Sequence, residues 1–290
     1  MAALKLLTLL LLWAAKLGAA ANFEAVDATG ARIALAQSAQ RIVSLSPHAT
    51  ELIDAAGAGD RLVAVTQACD FPARITTLPR ISSAQGVNIE ALIAAKPDLV
   101  IVWPAGNRPQ DIERIRALRI PVFASQPETL DTIADDIEKI GVLAGTARHA
   151  RVAAEKVRER IRNLGDLRAT TNSDATRVFY QLGSGLLYTL NDRHPVMEIV
   201  ARCGGRNVFG SLQQSAPQVS VEAVLNAQPQ LIVLADVQDA ATMRAQWPRV
   251  AFVHAKLPRF SVADGRQLHR PTPRMFDAAE NLCRAIRDNK

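Results

Sequence analysis

The chain has 290 residues, 49% hydrophobic and 21% charged, with a formal net charge of +6. That is long enough for one large domain or two of ordinary size, each able to bury a core, and the composition excludes a disordered chain. Lys and Arg are spread along the sequence rather than gathered in blocks, so no nucleic-acid partner is expected.

The first element is MAALKLLTLLLLWAAKLGAAANF. Lys5, a mostly apolar run from Leu6 to Ala15 and the small residues Ala19, Ala20 and Ala21 predict a secretory signal peptide over residues 1–21, cut after Ala21. The run is too short for a membrane span, which needs about 20 residues. Removal of Lys5 and Lys16 lowers the charge to +4. The mature chain is then expected in the periplasm, without a lipid anchor because no Cys lies near the cut.

Beyond the leader, apolar runs bounded by turn residues alternate with helical patterns, which predicts an α/β class. RIVSLS (41–46), RLVAVT (61–66), a short stretch at 80–82, DLVIVW (98–103) and IPVFAS (120–125) read as strands. Their continuous apolar character predicts a sheet covered on both faces. Helices are predicted after Ser46, in IEALIAAK, over 109–118 and in TLDTIADDIEKIGVLAG. A long charged helix follows to Leu164, then the turn-rich stretch 166–176. RVFYQLG, LYTLN, HPVMEIVARCGG, LIVLAD, RFSVAD and a closing helix in PTPRMFDAAENLCRAIRD build a second half. The predicted organisation is two Rossmann-like lobes, 22–145 and 166–290, joined by a single long rigid helix at 146–165. A ligand cleft is expected between the lobes, where small molecules usually bind.

One unit occurs twice. GVNIEALIAAKPDLVIV starts at Gly86 and QVSVEAVLNAQPQLIVL at Gln218, matching at Glu90/Glu222, Pro97/Pro229 and Leu99/Leu231. Asn88 and Ser220 are good N-caps, so each Glu falls in a first helical turn, where the helix dipole favours an acid by about 0.3–1 kcal/mol. That accounts for either Glu alone. A matched pair, one per lobe, also suits a partner with two matching basic sockets.

There are three cysteines. In an oxidising compartment two should pair. Cys203 and Cys283, both in the second half and each near the end of a helical pattern, are the expected bridge. Cys69 remains a free thiol or a small buried hydrophobe.

The ordered set RIVSLSPHATELI, CDFP, QGVNIEALIAAKPDLVIVW, RVFYQLG, CGGRNVF, PQVSVEAVL and HRPTPR resembles the periplasmic cobalamin-binding proteins of ABC importers. The resemblance runs from Arg41 to the C-terminus. It implies a monomer that takes a small-molecule ligand, cobalamin or another corrinoid, to an ABC importer permease dimer, with no catalysis and no cofactor of its own. It also implies docking roles for Glu90 and Glu222, a Cys203–Cys283 disulfide, and ligand contacts at Trp103 and Arg270. Where the best-known cobalamin binders carry aromatic residues, this chain has Ala68, Ala84 and Ala216, and Phe71, Tyr180 and Tyr188 are the candidate replacements.

A side chain could also ligate a metal within the guest. His48, Cys69, Tyr188 and His269 fall at predicted strand-to-helix junctions, and imidazole, thiolate and tyrosinate suit cobalt or haem iron. A directly bound metal ion is not expected, since the five histidines lack metal-site spacing. Haem or a ferric siderophore is the alternative guest; for a siderophore the available cations are Arg108, Arg270 and Arg274. An enzyme finds little support: LGSGL lacks nucleophile-elbow spacing and GAG at 57–59 follows a helix.

Overall fold

The computed structural model describes residues 23–83, 85–165, 175–247 and 258–289. The leader, Ala84 and most of the turn-rich boundary after the long helix lie outside the described residues.

The first half begins with a hairpin that the sequence did not announce, β1 (Phe23–Val26) and β2 (Arg32–Leu35). The buried Asp27 closes it: one carboxylate oxygen accepts from the Thr29 and Ala31 amides, the other from the amide of Ala124 across the fold. Next come β3 (Ile42–Ser44), α1 (Pro47–Ala55), β4 (Leu62–Thr66), β5 (Arg80–Ser83), β6 (Gly86–Val87), α2 (Ile89–Ala94), β7 (Leu99–Val102), α3 (Pro109–Ala117), β8 (Val122–Ala124) and α4 (Leu130–Leu143). The sheet order is β6-β5-β4-β3-β7-β8, parallel except for β5 with β6. Every residue of β3, β7 and β8 is buried, as the continuous apolar runs predicted.

Helix α5 (Ala147–Leu164) then leads into β9 (Thr176–Gln181), α6 (Pro195–Arg202), β10 (Gly205–Asn207), α7 (Val221–Ala227), β11 (Leu231–Leu234), α8 (Ala240–Ala245), β12 (Arg259–Val262), α9 (Gly265–Leu268) and α10 (Met275–Arg287). These strands form a second, all-parallel sheet in the order β10-β9-β11-β12. LYTLN forms no strand; Tyr188 contributes one bridge to Gln218.

The connection between the halves is broader than one strut. Helix α5 buries the stripe Ala150, Ala154, Val157, Ile161 and Leu164, spaced four and three residues apart so that one face points inward. Gly141 lets α4 approach it, since a Cβ there would run into Ala150. Its charged face is partnered too: Arg158 bonds Glu138 and Asp135, and Arg160 bonds Asp277. One hydrophobic cluster joins Ile42 and Leu99 of the first sheet, this stripe, and Val178 and Val233 of the second. Cys203 and Cys283 are disulfide-bonded, tying the end of α6 to α10.

The repeated units fold alike down to their backbone accounting. Asn88 and Ser220 each accept the amide three residues on, from Ala91 and Ala223. Lys96 and Gln228 both follow their helices at φ 47°, freeing carbonyls that an arginine at the start of the adjoining strand covers, Arg41 just before β3 and Arg177 within β9. Arg41 donates to the Ala95 and Lys96 carbonyls, and Arg177 to that of Gln228. β7 and β11 then pair with β3 and β9 in matching registers, Leu99 beside Ile42 and Leu231 beside Val178.

Candidate ligand-binding site

A cleft of about 530 Å³ opens between the halves. The first half contributes Pro47 and His48 from the start of α1, Trp103 and Ala105 after β7, and Gln126–Glu128 after β8. The second contributes Arg193, His194 and Pro195 before α6, Ser215, and His269–Pro271 after α9. These are loops at the carboxyl ends of parallel strands, where side chains leave the sheet and open α/β folds bind ligands. Two further cavities adjoin it, one sharing His269 and Arg270 and the other sharing Glu128, Arg193 and His194.

Trp103 is 38% exposed and forms a wall. Its orientation is fixed by an edge contact with His48, ring centroids 5.5 Å apart, and by Gly106, where a Cβ would collide with the indole. His48 is 4% exposed; its Nε2–H donates to the Ser125 carbonyl at 3.3 Å, leaving Nδ1 as an acceptor. Burial pushes its pKa down to about 4, so the ring is neutral at physiological pH. On the opposite wall His194 accepts the Val196 amide through Nδ1 at 3.2 Å, which places its proton on Nε2. His269 lies edge-on to it at 6.4 Å and shares a hydrogen bond with the buried Tyr180 hydroxyl at 3.1 Å. Burial holds both of these rings near 4 as well.

Arg270 borders the cleft but is engaged. It bonds Asp70 through both terminal nitrogens and reaches Glu51 at 3.4 Å. Glu51, 3% exposed on α1, also accepts from Arg274 at 3.1 Å and from the Thr272 hydroxyl at 2.8 Å. Arg274 lies 4.0 Å over the Phe71 ring. The 270–274 segment of the second half is thus clasped onto the first at the edge of the cleft.

Several expectations need correcting. Cys69 does not border the cleft: it is buried in the core, its sulfur 3.1 Å from the Thr50 hydroxyl and its pKa raised by burial. Phe71 lies under Arg274 and Tyr188 at the bridge to Gln218; both are partly exposed, and neither borders this cleft. Tyr180 is fully buried beneath His269 rather than replacing a missing aromatic wall. Ala68 and Ala216 are exposed. Arg108 is held by Asp111 at 3.0 Å, away from the cleft. Glu90 and Glu222 are exposed in the first turns of their helices, outside the cleft; the Glu222 carboxyl sits below its ordinary range because its own amide and Ser220 bond it. Glu51, Asp70 and His194 were missed. An acid inside the apolar pattern of ATELIDAAG, with two arginines in HRPTPR needing partners, was the available signal for Glu51.

Two α/β sheets closing on a lined cleft define a two-lobed solute-binding protein. A periplasmic binding protein family profile matches residues 42–246, and the chain belongs to that family. It is 39% identical over 247 residues to the vitamin B12-binding protein of Vibrio cholerae, covering 84% of this chain and 88% of that one. The Yersinia pestis vitamin B12-binding protein is 37% identical over 253 residues, covering 87% and 88%. The crystal structure of the periplasmic vitamin B12-binding protein BtuF of Vibrio cholerae superposes with a TM-score of 0.76 at 37% identity, over 87% of this chain and 98% of that one. The fold is shared at 24% identity with the periplasmic haem-binding protein RhuT from Roseiflexus, TM-score 0.69, over 87% and 99%.

Proposed function

We propose that this chain is an exported carrier that captures cobalamin or a related corrinoid between its lobes and hands it to an ABC-type importer, without chemistry of its own. The observation that carries the reading is the 39% identity to a vitamin B12-binding protein across most of both chains. The cleft supports it, with an indole and imidazoles suited to a flat, largely apolar ring. In this reading the leader delivers the chain to the periplasm. Glu90 and Glu222, exposed at equivalent places in the repeated units, meet basic sockets on the two halves of a permease dimer.

Haem is the second reading, favoured by the imidazoles bordering the cleft. Titration of the purified protein with cyanocobalamin and with haemin separates the two. Quenching of the exposed Trp103 by cyanocobalamin at micromolar concentration or below is expected; Trp247, buried and bonded to Gln181, is replaced by Phe to silence it. Haemin binding with an intense Soret band and no cyanocobalamin binding would replace the corrinoid reading. The Glu90→Arg, Glu222→Arg double variant is expected to keep its ligand affinity and lose stimulation of the importer. Undiminished transport would remove the docking role.

A further inference from the structure

The chain carries a net +6, yet the cleft carries none of that excess. The charged residues lining it are Glu128, Arg193 and Arg270. Arg270 is bound by Asp70 and Glu51, and Glu51 is shared with Arg274. With those partners included there are three carboxylates and three guanidiniums, and the local charge is zero. The adjoining cavity that shares Arg270 adds Asp236 and Asp264 against Arg266 alone, so it turns the balance acidic. The three imidazoles add no charge.

The uncharged groups have defined polarity. His48 has an acceptor nitrogen and His194 a donor N–H, and neither atom has a protein partner among the described residues. A carboxamide offers both a donor and an acceptor and can answer both rings. A carboxylate can only accept, and on entering it loses water while Arg270 stays bound by Asp70 and Glu51; Arg193, which is ion-paired to no carboxylate among the described residues, is held by the Gln213 carbonyl.

We propose that this cleft selects its guest by charge: it takes a flat ring whose periphery is amidated or esterified and rejects the same ring bearing carboxylates, with Asp70 and Glu51 acting as specificity residues through Arg270. The inference deepens the corrinoid reading and rests on it for the first of two probe pairs.

The test compares cyanocobalamin with the same corrinoid after one peripheral amide is hydrolysed to a carboxylate, and haemin with its dimethyl ester, by calorimetry near pH 7.5. The amide and the ester are each expected to bind about tenfold or more tightly than their carboxylate counterparts, the loss from desolvating a charge without a partner. Asp70→Asn, at an exposed carboxylate, releases part of Arg270 and is expected to narrow both ratios; a merely structural role would weaken both members of a pair alike. Carboxylate forms that bind as tightly as their neutral partners, or ratios unmoved in Asp70→Asn, would overturn the inference. If neither corrinoid binds while the haem ester outcompetes haemin, the corrinoid reading falls and charge selection stands. If no ring of either kind binds, both fall.

Discussion

The two halves of the molecule agree where the backbone must be satisfied and differ at the cleft. In the units around Glu90 and Glu222, the N-cap, the left-handed residue closing the helix, the arginine on its carbonyls and the strand register are all duplicated. At the cleft the first half presents Trp103 backed by His48, while the second presents the His194–His269 pair over Tyr180. A helix followed by a buried strand poses the same hydrogen-bonding problem in either lobe, so one solution serves twice. The walls of the cleft face no such common requirement, so they diverge.

The largest break in this comparison is expected where the buried carboxylate of Glu51 joins the halves. Glu51→Ala leaves Arg270, Arg274 and Thr272 without their shared acceptor and should cost about 3–5 kcal/mol, read by chemical denaturation. A loss under 1 kcal/mol would show that the shared apolar cluster alone holds the lobes.

The cleft histidines set the next effect. His48 titrates at 6.5 when unfolded and at about 4 when folded. Between those values the unfolded chain binds the extra proton, so stability falls as pH drops from 6.5 toward 4, by on the order of 3 kcal/mol for this residue. Asp136 runs the other way: burial raises its pKa from 3.8 to about 6, the folded state takes up its proton first, and stability rises as pH drops through that window. His48→Gln keeps a donor for Ser125 and should flatten the acid side of a melting-temperature profile; an unchanged profile would contradict the buried neutral ring.

The smallest effects sharpen the likeness of the repeats. Arg41→Ala and Arg177→Ala each uncover helix-end carbonyls and should cost about 1 kcal/mol or less in thermal melts, with Arg41 the larger because it covers two carbonyls rather than one. A clear loss at one site and none at the other would mean that the duplicated clamp is kept by geometry rather than by energy.

Much of the fold was legible because its signals are local. The buried runs LVIV and LIVL, the caps Asn88 and Ser220, and the stripe along α5 lie within single stretches of chain, where periodicity and capping chemistry operate. The hairpin at 23–35 escaped because its anchor, Asp27 on the Ala124 amide, spans 97 residues. Trp103, His48 and Arg270 all border the cleft; His48 was read from its junction position, Arg270 from the family resemblance, and Trp103 from its strand end and that resemblance. Cys69, read at a junction, and Tyr180, read as a replacement for an absent aromatic, are buried instead, because such positions can face inward as readily as outward. Arg108, Arg270 and Arg274 looked like free cations because nothing in a sequence shows which acid lies opposite.

The sequence by itself determined the α/β alternation and the two matched units, since each follows from short-range periodicity or capping. Tertiary structure alone decided which side chains border the cleft and what charge they retain. Those properties come from contacts between residues as far apart as Glu51 and Arg274, and a charge is neutralised by what lies near it in space, whatever its place along the chain.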